Sequence, residues 1–81
     1  MEITIRIIYQ GFESKILQRG SFPVNVKLFK ENPDQEAANV TYTWLQQIRR
    51  EAHVEEILEV VYDNDKDITE LVKEMEKATL D

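Results

Sequence analysis

The sequence predicts an α+β fold: a single-layer, mainly antiparallel sheet of about four strands, in the order βββαβα, with two helices packed on one face. Three observations predict it. The 81 residues suit one domain, here residues 1–81, with a single core. The N-terminal third alternates apolar and polar residues with the period of strands. Two later segments carry apolar residues three and four apart, the spacing of a helix face.

The first three strands are predicted from the alternation in the N-terminal third. Isoleucines alternate with polar residues over 1–7, and Gly11 interrupts the pattern before a second alternating run over 12–17. Two such runs around a glycine are typical of a β-hairpin. Gly20 with Ser21 predicts the next turn. The run Pro23–Lys30 alternates again and predicts a third strand, with proline at its first position.

The strongest local signal precedes a helix predicted from Pro33 to about Ala52. Asn32 is a preferred N-cap residue, and Pro33 suits the first helical turn. Gln35 completes a capping box with Asn32. The apolar stripe predicted for this helix is Ala37, Ala38, Thr41, Trp44, Leu45 and Ile48.

The C-terminal third predicts a strand followed by a second helix. The segment Val54–Tyr62 is rich in β-branched residues and apolar on both faces, which is typical of a central strand. The final helix is predicted to end near Ala78. Its apolar face is Ile68, Leu71, Val72 and Met75.

Three aspartates alternate between these last two elements, at Asp63, Asp65 and Asp67. As the first ligands of a calcium loop they would need a glycine where Ile68 stands, and a helix before them. Capping explains more of the residues, because Asp67 can accept from the free N–H groups of the final helix. Asp63 and Asn64 are turn formers. We favour the cap and keep a cation site as the alternative.

Composition argues against several classes of chemistry. Without cysteine, disulfides and thiolate metal sites are excluded, and two glycines cannot form a glycine-rich phosphate loop. His53 is the single histidine, so a site with several histidine ligands is impossible. A Ser-His-Asp triad would draw on Ser14 or Ser21, which no Gly-x-Ser-x-Gly turn supports. The sequence therefore predicts a protein that is not an enzyme, with no catalytic, cofactor or metal residue.

The chain is predicted to be cytoplasmic. No apolar run approaches the roughly 20 residues that a membrane helix needs. The N-terminus alternates and lacks the pattern of a signal peptide. We therefore expect neither a membrane partner nor a leader.

Charge is divided unevenly along the chain. Residues 1–30 hold five basic and two acidic residues, a balance of +3, and residues 31–81 hold five basic and fourteen acidic ones, a balance of −9, which sum to the net charge of −6. A basic surface on an acidic protein favours an interaction role. The candidate partner surface is Lys15, Arg19, Lys27, Phe29, Lys30 and Tyr42, with Tyr42 expected to point outward.

The function expected from these features is a small non-enzymatic interaction or regulatory module with a protein partner. The first or third strand could pair with a partner strand, or with itself in a homodimer. Charge reversal of Lys27 and Lys30 is expected to weaken partner binding. The alternative is a single-stranded nucleic-acid binder in which Phe12, Phe22 and Phe29 form a stacking platform among basic residues. A regulatory enzyme subunit is a third hypothesis.

Overall fold

The chain folds into a four-stranded antiparallel sheet with helices on one face, as a computed structural model that describes residues 1–79 shows. The predicted α+β class and its antiparallel four-stranded sheet are confirmed. The strand order across the sheet is β2-β1-β3-β4. Along the chain the elements are β1 (Glu2–Gln10), β2 (Lys15–Pro23), α1 (Val26–Glu31), α2 (Pro33–Glu51), β3 (Glu56–Tyr62), β4 (Lys66–Asp67) and α3 (Thr69–Thr79).

Strand β1 is the central element because it pairs with β2 on one side and with β3 on the other. Its odd-numbered residues face the helices and are almost fully buried, whereas Glu2 is exposed and the other even-numbered residues are half-buried. The pairing brings Ile5 opposite Gly20 and Tyr62, and Ile7 opposite Gln18 and Val60. The predicted isoleucine face is therefore the centre of the core.

Helix α2 covers this face and has the predicted N-cap, but the predicted capping box is wrong: the N–H of Asn32 donates to the carbonyl of Leu28 at 2.9 Å, and the Gln35 side chain donates to Asn39 Oδ1 at 2.9 Å. The side chain of Asn32 accepts the N–H of Gln35 at 3.2 Å, with proline in the first turn. Five of the six predicted stripe residues are buried and Trp44 is half-buried. Helix α3 adds Val72 to the same cluster. The opposite face of the sheet is uncovered by any element of residues 1–79, and Leu17 on it is 57% exposed.

The third strand predicted over Pro23–Lys30 is wrong, because Val26–Glu31 forms helix α1. The side chain of Asn25 accepts the N–H of Leu28 at 3.0 Å, which satisfies a free donor of the first helical turn. The N–H of Asn25 itself donates to Glu36 Oε2 at 2.9 Å. These two bonds fix the entry of the helix, so the order along the chain is ββααββα and not βββαβα.

The turn predicted at Gly20 and Ser21 is also wrong, since both residues lie inside β2. The hairpin turn comes earlier, where the N–H of Gly11 donates to the carbonyl of Ser14 at 2.9 Å. Gly20 tolerates a strand position because the Phe22 ring covers it: a Cβ there would lie 2.9 Å from ring atoms of Phe22. The fourth strand is the short β4, in a stretch where no strand was predicted.

Candidate functional site

The outer edge of β2 is the most exposed run of backbone in the sheet. In this hairpin the N–H of Val24 donates to the carbonyl of Met1 at 3.1 Å. Hydrogen-bonded and non-hydrogen-bonded pairs alternate along an antiparallel ladder. The alternate residues Lys15, Leu17, Arg19 and Ser21 therefore direct their N–H and C=O groups away from β1. Within residues 1–79 no strand pairs with this edge.

The two strand edges expected to bind a partner are not available. The first strand is internal, with a neighbour on each side, and the predicted third strand is helix α1. The edge strand on this side of the sheet is β2 because the chain turns away from it at Asn25. On the other side the sheet ends in β4, which is only two residues long.

The uncovered face beside this edge is basic with an apolar centre. It carries the alternate β2 residues Lys15, Leu17 and Arg19, and Leu17 is opposite Ile8 of β1. Arg19 is opposite Arg6, so two like charges face each other across the hairpin. Arg6 is compensated by Glu59 on β3, with 2.7 Å between Nη2 and Oε1. Arg19 has no ion pair within residues 1–79.

The helix-covered side of the same edge holds an apolar groove between β2 and α2. The ring of Phe22 packs against Trp44, with 4.7 Å between centroids and an interplanar angle of 51°. Gly20 contributes no side chain at this position, which leaves room for the Phe22 ring. The groove has a volume of about 330 Å³ and is lined by Phe22, Pro23, Val40, Thr43, Trp44 and Gln47.

The aspartate stretch is a turn and a helix cap. Asp63 and Asn64 adopt left-handed backbone angles, with φ of 50° and 71°, which Asn and Asp tolerate best after glycine. Asp67 Oδ1 accepts the hydroxyl of Thr69 at 2.6 Å and its N–H at 2.9 Å. These bonds, the hydroxyl first, hold the pKa of Asp67 below its ordinary value. The predicted cap is confirmed.

No group of three or more His, Asp or Glu side chains within residues 1–79 is arranged to hold a metal ion. A buried tyrosine nearby is also bound to an acid, since the hydroxyl of Tyr62 donates to Asp34 Oδ1. Burial, and then this carboxylate, raise the pKa of Tyr62 far above its ordinary value, and the charges of Asp63 and Asp65 add to the effect. The phenol is therefore held neutral as a structural hydrogen-bond donor.

The residues predicted for the partner surface lie on three elements. Lys15 and Arg19 are on β2, and Lys27 and Lys30 are on α1. The remaining two are less accessible than expected. Phe29 of α1 is half-buried with its ring 6.2 Å from that of Tyr62, and Tyr42 of α2 is half-buried and takes part in a contact.

The three phenylalanines do not form a stacking platform on one sheet face. Phe12 lies in the hairpin turn, 76% exposed, with its ring stacked on His53 at 3.8 Å. Phe22 faces the helices, and Phe29 is on α1. The aromatic part of the nucleic-acid hypothesis therefore has no structural basis in this arrangement.

Sequence reasoning missed the residues that complete the site, namely Leu17, Ser21 and the Phe22–Trp44 groove. The signal for Leu17 was present, because alternation places it on one face with Lys15 and Arg19. Because Gly20 was predicted to be in a turn, the predicted strand ended too early, and Leu17 was not assigned to the partner surface. The groove could not be read from the sequence, because it depends on how α2 lies against β2.

No helix in residues 1–79 is long and apolar enough to cross a bilayer. Comparison of the chain with protein-family models, with curated proteins and with solved structures finds no match. Within residues 1–79, the most distinctive feature is the unpaired edge of β2.

Proposed function

We propose that this protein is a non-enzymatic, cytoplasmic interaction module that binds another protein through β2. The observation that carries the proposal is the nine-residue edge strand whose outward backbone groups have no partner in residues 1–79. A partner segment that adds as a further strand would satisfy these groups, a common mode of peptide recognition. The absence of cysteine is in keeping with a reducing compartment.

The two ends of β2 also favour selective pairing over open aggregation. Natural proteins protect free edges with lysine, proline or very short strands. Lys15 opens β2 and Pro23 closes it, and no acid or proline lies between them. On the opposite side, the short β4 pairs only with Val61 and Tyr62 of β3. The longest unpaired edge of the described sheet is therefore that of β2, where the length of a partner strand is limited at both ends.

Substitution of Ser21 tests the edge directly. In Ser21→Pro the outward N–H is lost, while the ladder with β1 keeps its hydrogen bonds because the N–H of residue 21 is not part of it. Ser21→Ala is the matched control: it also removes the hydroxyl, which lies 3.3 Å from Thr4 Oγ1, but keeps the N–H. Both variants are expected to melt close to the wild type.

The assay is affinity capture from nuclease-treated host lysate with the wild type and both variants. We expect a discrete protein to be captured by the wild type and by Ser21→Ala and to be lost with Ser21→Pro. Capture that persists with a folded Ser21→Pro would contradict the proposal. Recovery of nucleic acid, with proteins that disappear on nuclease treatment and binding that falls steeply with salt, would support the alternative function.

A further inference from the structure

We infer that the partner of β2 is an extended segment in which acidic and apolar residues alternate. The acidic side chains lie beside Lys15 and Arg19 on the uncovered face, and the apolar ones enter the groove between Phe22 and Trp44. This inference rests on the proposed function and adds the chemistry of the partner. Two independent features of the edge support it, one on each side of the sheet.

On the uncovered side, Arg6 has a carboxylate partner and Arg19, directly opposite it, has none within residues 1–79. Arg6 and Arg19 form a non-hydrogen-bonded pair, the class in which side chains lie closest, with about 4.5 Å between Cα atoms. Like charges in this position are destabilising. Glu59, on the strand next to Arg6, compensates that residue at 2.7 Å. A carboxylate on a strand added beside β2 would take the equivalent position next to Arg19.

On the helix side the added strand meets an apolar surface. Residues of a neighbouring strand lie on the same face as those directly opposite them, so partner residues opposite Gly20 and Phe22 point toward α2. There the groove of about 330 Å³ offers the Phe22 and Trp44 rings together with Val40. Such a site favours an apolar side chain. Because faces alternate along a strand, acidic and apolar residues must alternate in the partner.

Two other occupants fit less well. A second copy pairing through β2 would bring a strand that carries Lys15 and Arg19 and no acid, so the cations would face each other. A nucleic acid has a phosphate backbone that only accepts hydrogen bonds and lacks the alternating N–H and C=O groups that continue a β-ladder. The net charge of −6 opposes any anionic partner, and it opposes a polyanion with one charge per nucleotide more than a peptide in which only alternate residues are acidic. Charge complementarity therefore favours an acidic peptide.

The experiment is a selection of short random peptides lacking tryptophan, displayed on phage, against the full chain. Selected peptides are then synthesised and titrated while the emission of Trp44, the sole tryptophan, reports entry into the groove. We expect peptides with alternating acidic and apolar residues that shift the Trp44 emission. The double charge reversal Lys15→Glu with Arg19→Glu should weaken the binding of these peptides by about tenfold or more. Lys27→Glu with Lys30→Glu is the control with the same change of net charge. Because both lysines lie on α1 and not on β2, this control should leave peptide binding unchanged, contrary to the expectation from the sequence alone.

The outcomes separate this inference from the function on which it rests. Selected peptides that lack the alternation, but are lost with Ser21→Pro, overturn the partner chemistry and leave edge binding standing. Peptides that still bind Ser21→Pro, or a selection that yields none, overturn both. Preferential binding of a single-stranded oligonucleotide, or dimerisation of the chain that Ser21→Pro abolishes, also overturns the acidic-peptide partner.

Discussion

Replacement of Thr69 by valine should destabilise the protein more than its position at a helix start suggests. The Thr69 hydroxyl accepts the N–H of Val60 at 2.9 Å and donates to Asp67 Oδ1 at 2.6 Å. The Thr69 hydroxyl oxygen lies farther, 3.4 Å, from the Val60 carbonyl oxygen. The hydroxyl therefore donates its proton in the hydrogen bond to the Asp67 carboxylate and not to the carbonyl. Val60 is fully buried. The hydroxyl thus completes the outer edge of β3 where β4 has ended, and starts α3.

Thr69→Val keeps the shape of the side chain and removes both bonds. The buried N–H of Val60 is left without a partner, which costs about 1–3 kcal/mol. The bond to the exposed Asp67 adds at most about 1 kcal/mol because water screens it. The sum, about 1–4 kcal/mol, is a large part of the roughly 4–12 kcal/mol expected for a chain of this length. The Tm should fall by about 4 °C or more.

Urea unfolding followed by Trp44 fluorescence measures this loss. Thr69→Ser is the matched control because it keeps the hydroxyl and removes one methyl group, a cost of about 1 kcal/mol. Faster amide exchange at Val60 in Thr69→Val would locate the effect. If the valine variant is as stable as the serine variant, the hydroxyl does not satisfy the Val60 N–H and the reasoning is refuted.

Four further predictions concern Tyr62, Asp67 and Gly20. Tyr62→Phe should cost about 1–2 kcal/mol in urea unfolding by removing the bond to Asp34, and an unchanged midpoint would contradict it. Because the pKa of Tyr62 is raised, stability should fall as the pH rises above about 10, where the unfolded chain loses its proton first. Because the pKa of Asp67 is lowered, stability should fall as the pH drops below about 4, and Asp67→Asn should reduce this dependence. Gly20→Ala should displace the Phe22 ring and change the tryptophan emission, and an unaltered spectrum would argue against the close packing there.

The sequence predicted those elements whose signals are local. The N-cap of α2 lies within three residues of the N–H that it accepts, so the capping role of Asn32 could be read directly. Asp67 as a cap is equally local. Helix α1 was mistaken for a strand because apolar residues at Val24, Val26 and Leu28 alternate, and its start also depends on Glu36, which is distant in sequence.

The candidate site was predictable in its charges and not in its shape. Lys15 and Arg19 were assigned to a partner surface, and they share a face because strand residues alternate. The groove depends on how α2 crosses the sheet, which no local pattern records. Tyr42, predicted to point outward, is half-buried on α2, an accessibility that the helix spacing alone does not give.

The error over α1 bears directly on the function, because a strand at residues 24–30 could have covered β2, whereas the helix leaves its edge open. Amide exchange tests this openness. The N–H groups of Leu17, Arg19 and Ser21 point outward and should exchange rapidly, while that of Gln18, bonded to β1, should be protected up to the stability of the core. Equal protection of Leu17 and Gln18 at all protein concentrations would mean that another part of the chain covers the edge. Protection of Leu17 that grows with concentration would mean that a second copy pairs there, against the charges of Lys15 and Arg19.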